Sequence, residues 1–141
     1  MTSDPGDAGG LGCFFYRSTA AAHLRRRDLD DILLVARARN LSLSLTGCLH
    51  YEDGMFFQWL EGPSLAVGQV VASIRADPRH RDLTVLGEGP VDLRLFRDWS
   101  MRFSGRDDAS LMDWIARSNS STVDRQGYAG GILSFLMSVP A

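Results

Sequence analysis

Residues 45–63 read LTGCLHYEDGMFFQWLEGP, and the fold is read outward from them. Two apolar runs, Leu45 to Tyr51 and Met55 to Leu60, flank Glu52-Asp53-Gly54. Asp-Gly suits a two-residue hairpin turn, where both central residues need positive φ. The spacing therefore predicts two antiparallel strands, the second ending at Glu61-Gly62-Pro63. Upstream, Leu29, Ile32, Leu33, Ala36 and Asn40 recur at helical spacing and form one stripe. Asp28 is the expected N-cap, with Asp30 and Asp31 in the first turn and Arg37 and Arg39 in the last complementing the helix dipole. Before that helix, Leu11 to Ser18 reads as a strand with Phe14, Tyr16 and Ser18 on one face and Cys13, Phe15 and Arg17 on the other. Downstream, Ser64 is placed to cap a second helix whose stripe is Val67, Val70, Val71 and Ile74. Asp77-Pro78 ends it, because the residue before proline avoids the helical region. Leu83 to Leu86 and Val91 to Phe96, on either side of a Gly-Glu-Gly-Pro break, and then Trp99 to Phe103, are strand material.

The resulting βαββαββ order predicts an α+β, ferredoxin-like sandwich, with two helices on one face of a mainly antiparallel sheet. The other face carries Phe15, Phe57 and Trp59, which need cover. Leu111, Met112 and Ile115 are spaced for one short helix, and Tyr128, Ile132, Leu133, Leu136 and Met137 for another. These C-terminal helices or a second subunit are the candidates to cover that face. Gly130-Gly131 weakens the last helix by about 1 kcal/mol per glycine. The expected organisation is a disordered tail over 1–10, a single domain over 11–104 and a helical extension over 105–141.

Composition narrows the functions. The chain has 141 residues, 45% hydrophobic and 23% charged, with 17 acidic against 15 basic residues and a net charge of −2. That balance lacks the basic excess that drives binding to a phosphate backbone, so no direct nucleic-acid partner is expected. Every basic residue is arginine, which removes Schiff-base chemistry and any phosphate-loop lysine. Cys13 and Cys48 lack paired spacing and read as reduced thiols of an intracellular protein. The first ten residues are acidic where a signal peptide is basic, and no apolar run approaches the roughly 18 residues of a membrane span. A cytoplasmic protein without membrane attachment is expected. His23, His50 and His80 lack metal-ligand spacing, so no metal is expected. No Ser-His-Asp arrangement or dinucleotide fingerprint is present.

Several polar residues sit where apolar ones belong. Asn40 lies on the apolar stripe of the first helix; it is either a C-terminal cap or a buried amide in need of partners. Gln58 lies among Phe56, Phe57, Trp59 and Leu60; it either reaches water from an edge strand or must be hydrogen-bonded, since an unpaired buried amide costs about 1–3 kcal/mol. Tyr16 is either an ordinary core tyrosine on a backbone carbonyl or a functional hydroxyl. Arg39, at the edge of the stripe, either snorkels or stacks on a planar ligand. Arg79 and His80 either meet a phosphate or belong to a solvated loop.

Phe-Tyr-Arg-Ser at 15–18, Ala-Arg-Asn at 38–40, Leu-Thr-Gly at 45–47, Phe-Gln-Trp-Leu-Glu-Gly-Pro at 57–63, Asp-Pro-Arg-His at 77–80 and Trp-Ser-Met at 99–101 together resemble the BLUF family, blue-light sensors that use flavin. The resemblance runs from about Leu11 to Phe103. It implies FAD as cofactor, held between the two helices beside the sheet. It further implies Tyr16 as electron donor, Gln58 as the bridge between Tyr16 and the flavin, Asn40 on the flavin carbonyl side, and Met101 or Trp99 completing the pocket. Apolar cover is expected from Ile32, Phe56, Leu60 and Ile74, a phosphate contact from Arg79 or His80, and stacking from Arg39, which stands where some relatives have histidine. A tyrosine that has given up an electron becomes strongly acidic and must pass on its proton. Glutamine, with one donor and one acceptor end, can relay it by flipping or changing tautomer. The length leaves little beyond the sensor, so output through an unidentified protein partner, or through a homodimer or higher oligomer, is expected.

Two other readings share the topology. An acylphosphatase-like phosphoryl hydrolase would use Arg17 and Asn40, although Arg17 is followed by Ser18-Thr19-Ala20 rather than a glycine-rich cradle. A ligand-free dimeric interaction module would show neither colour nor turnover.

Overall fold

Asp53 and Gly54 adopt φ of 51° and 78°, the pair of positive angles the hairpin turn requires. The computed structural model describes residues 10–118 and 125–139, so the expected N-terminal tail, apart from Gly10, lies outside the described residues. Its elements are β1 (Leu11–Ala20), α1 (Arg26–Leu43), β2 (Thr46–Glu52), β3 (Met55–Pro63), α2 (Ser64–Ala76), β4 (His80–Val91), β5 (Arg102–Gly105), α3 (Leu111–Ser118) and α4 (Arg125–Ser138). The sheet order is β4-β1-β3-β2-β5, antiparallel throughout except for β2 beside β5. This is the expected α+β sandwich, with helices α1 and α2 on one face.

Alternation along the strands makes two cores. Phe14, Tyr16, Leu49, Phe56 and Leu60 pack with Leu29 and Leu33 of α1 and Val67, Val70 and Ile74 of α2. Cys13, Phe15, Cys48, Phe57 and Trp59 pack on the other face with Leu111 of α3 and with Ile132, Phe135 and Leu136 of α4. The chain's own C-terminal helices thus cover the face that lacked cover. Phe135 is 2% exposed and Met137 is 52% exposed, so the buried stripe of α4 is rotated by part of a turn from the expected one. Gly47 lets β2 and β3 meet: a Cβ there would stand 2.0 Å from the Trp59 carbonyl oxygen.

Several boundaries differ from expectation, each for a local reason. Helix α1 opens at Arg26, and Asp28 is its third residue, its carboxylate accepting the Arg25 N–H at 2.8 Å. It runs on to Leu43 and closes on Ser44 in the left-handed region, so its last turn holds no basic residue. Pro63 rather than Ser64 takes the cap position of α2, because β3 continues to Pro63 in register with Leu11. Strand β4 runs unbroken through Gly87-Glu88-Gly89-Pro90, absorbing register irregularities against β1. As an edge strand it tolerates proline.

Val91 to Phe96 forms no further ladder beyond Val91. The N–H groups of Leu95 and Phe96 instead donate to the buried carboxylate of Glu61 at 2.7 and 2.8 Å. The last strand begins at Arg102, not Trp99. Trp99 is held in a turn by its N–H on Phe96 O and by its own carbonyl on Gly47 N–H, both at 3.0 Å.

Candidate functional site

Strand β3 is the middle of the five, so Gln58 has no edge from which to reach water. The β1–β3 register sets Tyr16 directly opposite Gln58, the relation in which cross-strand side chains touch. The Tyr16 hydroxyl donates to Gln58 Oε1, rather than to a backbone carbonyl. Gln58 Nε2 then points at the sulfur of Met101, 3.8 Å away. Tyr16, Gln58 and Met101 are 4%, 5% and 2% exposed. The amide's acceptor end holds the Tyr16 hydroxyl, and its donor end meets a weak thioether acceptor.

Burial pushes the Tyr16 phenol well above its ordinary value, opposed by the Arg39 guanidinium and assisted by Asp77. Tyr16 is therefore protonated and committed as a donor. Burial in turn lowers Arg39, while Tyr16 raises it.

These groups form one end of a cavity of about 740 Å³ between α1, α2 and the sheet, whose wall includes Ile32, Val35 and Ala36 of α1 and Leu49 and Phe56 of the sheet. Ser73, Ile74 and Ala76 of α2 and then Asp77 to His80 continue it. The size lies within the usual range for small-molecule sites.

At the α2 end, Arg79 binds Asp77 through Nε and Nη2, the latter at 2.7 Å. That contact raises the Arg79 guanidinium and lowers the Asp77 carboxyl. His80 Nε2 donates to Ile74 O at 2.6 Å, which leaves Nδ1 to accept from Ser18 Oγ at 2.7 Å. Both ring nitrogens of His80 are thus engaged by the protein.

Of the residues singled out in the sequence, the fold brings Tyr16, Ile32, Arg39, Phe56, Gln58, Ile74, Arg79, His80 and Met101 to this wall. Asn40, Leu60 and Trp99 stand apart from it. Asn40 is fully buried behind the wall; its Nδ2 donates to Ser100 O at 2.7 Å and its Oδ1 accepts from Arg39 Nε at 3.4 Å. Leu60 lies wholly within the core. Trp99 is 37% exposed: the turn before β5 breaks the alternation that would have put it beside Met101, and only Met101 faces Gln58. The missed wall residues Val35, Ala36, Ser73 and Ala76 carry no chemical signal. Helical periodicity does reach Ala36, and the Asp-Pro-Arg-His motif brackets Asp77 and Pro78.

Arg17 and Asn40, the pair a phosphoryl hydrolase would need, are on opposite sides of the sheet. The Arg17 guanidinium lies 5.6 Å over the Tyr128 ring of α4.

A family model described as sensors of blue light using FAD, BLUF, matches residues 11–102. Subunit alpha of the photoactivated adenylate cyclase of Euglena gracilis is 42% identical over 91 residues, 64% of this chain and 9% of that protein. Subunit beta of the Euglena longa cyclase is 39% identical over 87 residues, 61% of this chain and 10% of that one. The chain thus spans about a tenth of the length of the curated relatives it matches. Among solved structures, the dark state of the BLUF protein BlrB superposes with a TM-score of 0.72 at 32% identity, covering 91% of this chain and 98% of that one. The ground state of BlsA superposes at 0.81 with 26% identity, covering 92% and 89%. By the family match, the Tyr16–Gln58 pair and the fold together, the chain belongs to the BLUF family of blue-light sensors that use FAD.

Proposed function

We propose that this chain is a photosensor rather than an enzyme, with Tyr16, Gln58 and Met101 as its switch. The observation that carries the reading is the Tyr16 hydroxyl on Gln58 Oε1 at the inner end of a large cavity, with only a thioether on the amide's other end. The cavity suits FAD in three respects: an apolar wall from Ile32, Phe56 and Ile74, an Arg39 side chain in that wall, and a Gln58 donor lacking a strong acceptor. Arg79 stands at the α2 end as the candidate phosphate contact, reachable when its bond to Asp77 opens, and His80 shapes that end. Asn40 holds the Ser100 segment against α1 through one amide N–H, and its second N–H is the group left to serve the flavin carbonyl side. Bound flavin supplies absorption of blue light and acceptance of an electron.

The residues do the rest. Tyr16 is buried, protonated and aligned on an acceptor, so when its electron leaves for the bound flavin its proton would pass to Gln58 Oε1 while Gln58 Nε2 gives one up on the cavity side, leaving a neutral imidic-acid tautomer. Gln58 rotates or changes tautomer because its Nε2 is weakly held by Met101. The changed amide presents a different donor and acceptor order to the cavity and to Met101, and β5 carries the difference onward. Trp99 contributes from the surface through its backbone link to Gly47.

The domain extends over 11–104, with 105–141 as the extension through which the signal passes to an effector. The solved structure titled as a bacterial light-regulated adenylyl cyclase, of which this chain covers 36%, and the Euglena cyclases support a protein effector in place of nucleic acid. No helix among the described residues is long and apolar enough to cross a membrane, and a cytoplasmic protein acting as a homodimer or higher oligomer fits the reading. The test is the absorption spectrum of the FAD-loaded protein in the dark, after blue light, and during recovery. The expected result is a reversible red shift without bleaching, absent in Tyr16→Phe and Gln58→Glu although both still bind FAD. A shift that persists in both variants overturns this mechanism.

A further inference from the structure

Arg102 carries a charge into the interior on the side of the sheet away from the cavity. It is 7% exposed. Its Nη1 donates to Val139 O at 3.0 Å and its Nη2 to Leu136 O. Its guanidinium lies 5.2 Å from the centre of the Phe96 ring. These carbonyls belong to the C-terminal end of α4, where a helix leaves its acceptors unmatched and its dipole is negative. Arg102 therefore caps α4 from a neighbouring strand. The buried Nε takes no part in this cap.

Its position in the chain connects this cap to the cavity. Met101, which meets Gln58, precedes it directly, and β5 alternates, so the two side chains lie on opposite faces. The backbone at this point is tied to α1 by Arg37 Nε on Met101 O at 3.0 Å and Asn40 Nδ2 on Ser100 O. Strand β5 has four residues and, among the described residues, pairs with β2 alone, so a displacement of Met101 is not absorbed by a broad ladder. Helix α4 contains Gly127, Gly130 and Gly131, which lower its intrinsic stability and make an added cap consequential.

We propose that Arg102 is a positioning residue that couples the Gln58 switch to α4: when Gln58 rearranges and displaces Met101, Arg102 releases Leu136 O and Val139 O, and the last turn of α4 opens as the output element. The inference rests on the photosensor reading above. Its physical content is a two-state contact biased by the cavity on one side and read by α4 on the other.

The test is amide hydrogen exchange, resolved by peptide mass, on the FAD-loaded full chain in darkness and under continuous blue light, with the absorption spectrum followed in parallel. In the unmodified protein the C-terminal turn of α4 is expected to exchange about tenfold faster in light. In Arg102→Met it exchanges fast in both states, while the red shift is retained. Arg102→Lys, which keeps the charge but offers a single donor group, restores part of the dark protection; it also decides the matter if the methionine variant does not fold. Light-dependent exchange at α4 as large in these variants as in the unmodified chain overturns the latch. So does a red shift in the unmodified chain with unchanged exchange at α4. Absence of any red shift in the unmodified, FAD-loaded protein overturns the photosensor reading and the latch together.

Discussion

Asn40 shows what a single misplaced side chain carries. An amide on the apolar stripe of a helix demands partners, and it finds them in the Ser100 carbonyl and Arg39. Removing it takes the donor from that half-buried carbonyl and frees the segment that leads into β5. Asn40→Ala is expected to cost about 1–3 kcal/mol, read as a lower thermal midpoint, with a larger loss than an alanine at exposed Leu34. A midpoint equal to the parent's would show that water replaces the amide. That Asn40 needed a partner was legible from spacing alone. The partner itself was not, because it is 60 residues away and is brought near only by the parallel pairing of β2 with β5. The same holds for Tyr16 and Gln58: each looked out of place in the sequence, but their mutual contact follows from register. Trp99 and Met101, by contrast, look alike in the sequence and are separated by a turn held through backbone hydrogen bonds, which side-chain patterning does not encode.

At the level of elements, α3 is held by a device from a distant strand. Glu52 of β2 is 1% exposed, and its carboxylate accepts from Leu111 N–H at 2.7 Å, Met112 N–H at 3.2 Å and Ser110 Oγ at 2.9 Å. These are the unmatched donors of a helix start. His50, fully buried, meets Glu52 through Nε2 at 2.9 Å and Ser104 through Nδ1 at 2.8 Å, and stands edge-on to Phe135 of α4 at 5.0 Å. Burial lowers His50 below its ordinary value; Glu52 and Asp108 oppose this and Arg102 assists it. Burial would raise the Glu52 carboxyl, but the bonds from His50 and the start of α3 outweigh it and hold it low.

The signs follow from which state binds more protons. Stability linked to His50 is complete above the free imidazole value of about 6.5 and is lost as pH falls toward the lower folded value. Stability linked to Glu52 is complete above about 4.3 and is lost as pH falls through its own depressed value. The thermal midpoint is thus expected to decline from pH 7 to pH 5 and again below pH 4. His50→Gln, which keeps hydrogen-bonding capacity without a titrating ring, should flatten the first decline only. Equal slopes for the variant and its parent between pH 7 and pH 5 would remove His50 from the linkage. Nothing in the spacing of His50 and Glu52 announced this arrangement; two polar residues alternating on a strand look like a wet face until a helix is laid over them.

For the molecule as a whole, the double-sided apolar patterning of β1 and β3 decides the architecture. A strand with Phe14 and Tyr16 on one side and Cys13 and Phe15 on the other needs cover on both. The sequence left open whether α3 and α4 or a second copy covers the far side. The structure assigns it to α3 and α4, with Leu111, Ile132, Phe135 and Leu136 over Phe15, Phe57 and Trp59. Each such aromatic side chain contributes about 1.5–3 kcal/mol by leaving water, and an uncovered patch of them drives association. A chain ending after Ser110 is therefore expected to retain the FAD cavity, none of whose wall lies beyond Met101, and still to show the red shift. It should nevertheless self-associate, as read by light scattering across a concentration series. Restoring polarity to the bared face by Phe15→Thr and Trp59→Thr in the shortened chain should reduce that association. If the shortened chain stays dispersed at the full chain's molar mass per copy, α3 and α4 are not the cover this face requires. If it loses FAD as well, the two cores are one cooperative unit, and the light signal and the α4 packing share a single folding equilibrium.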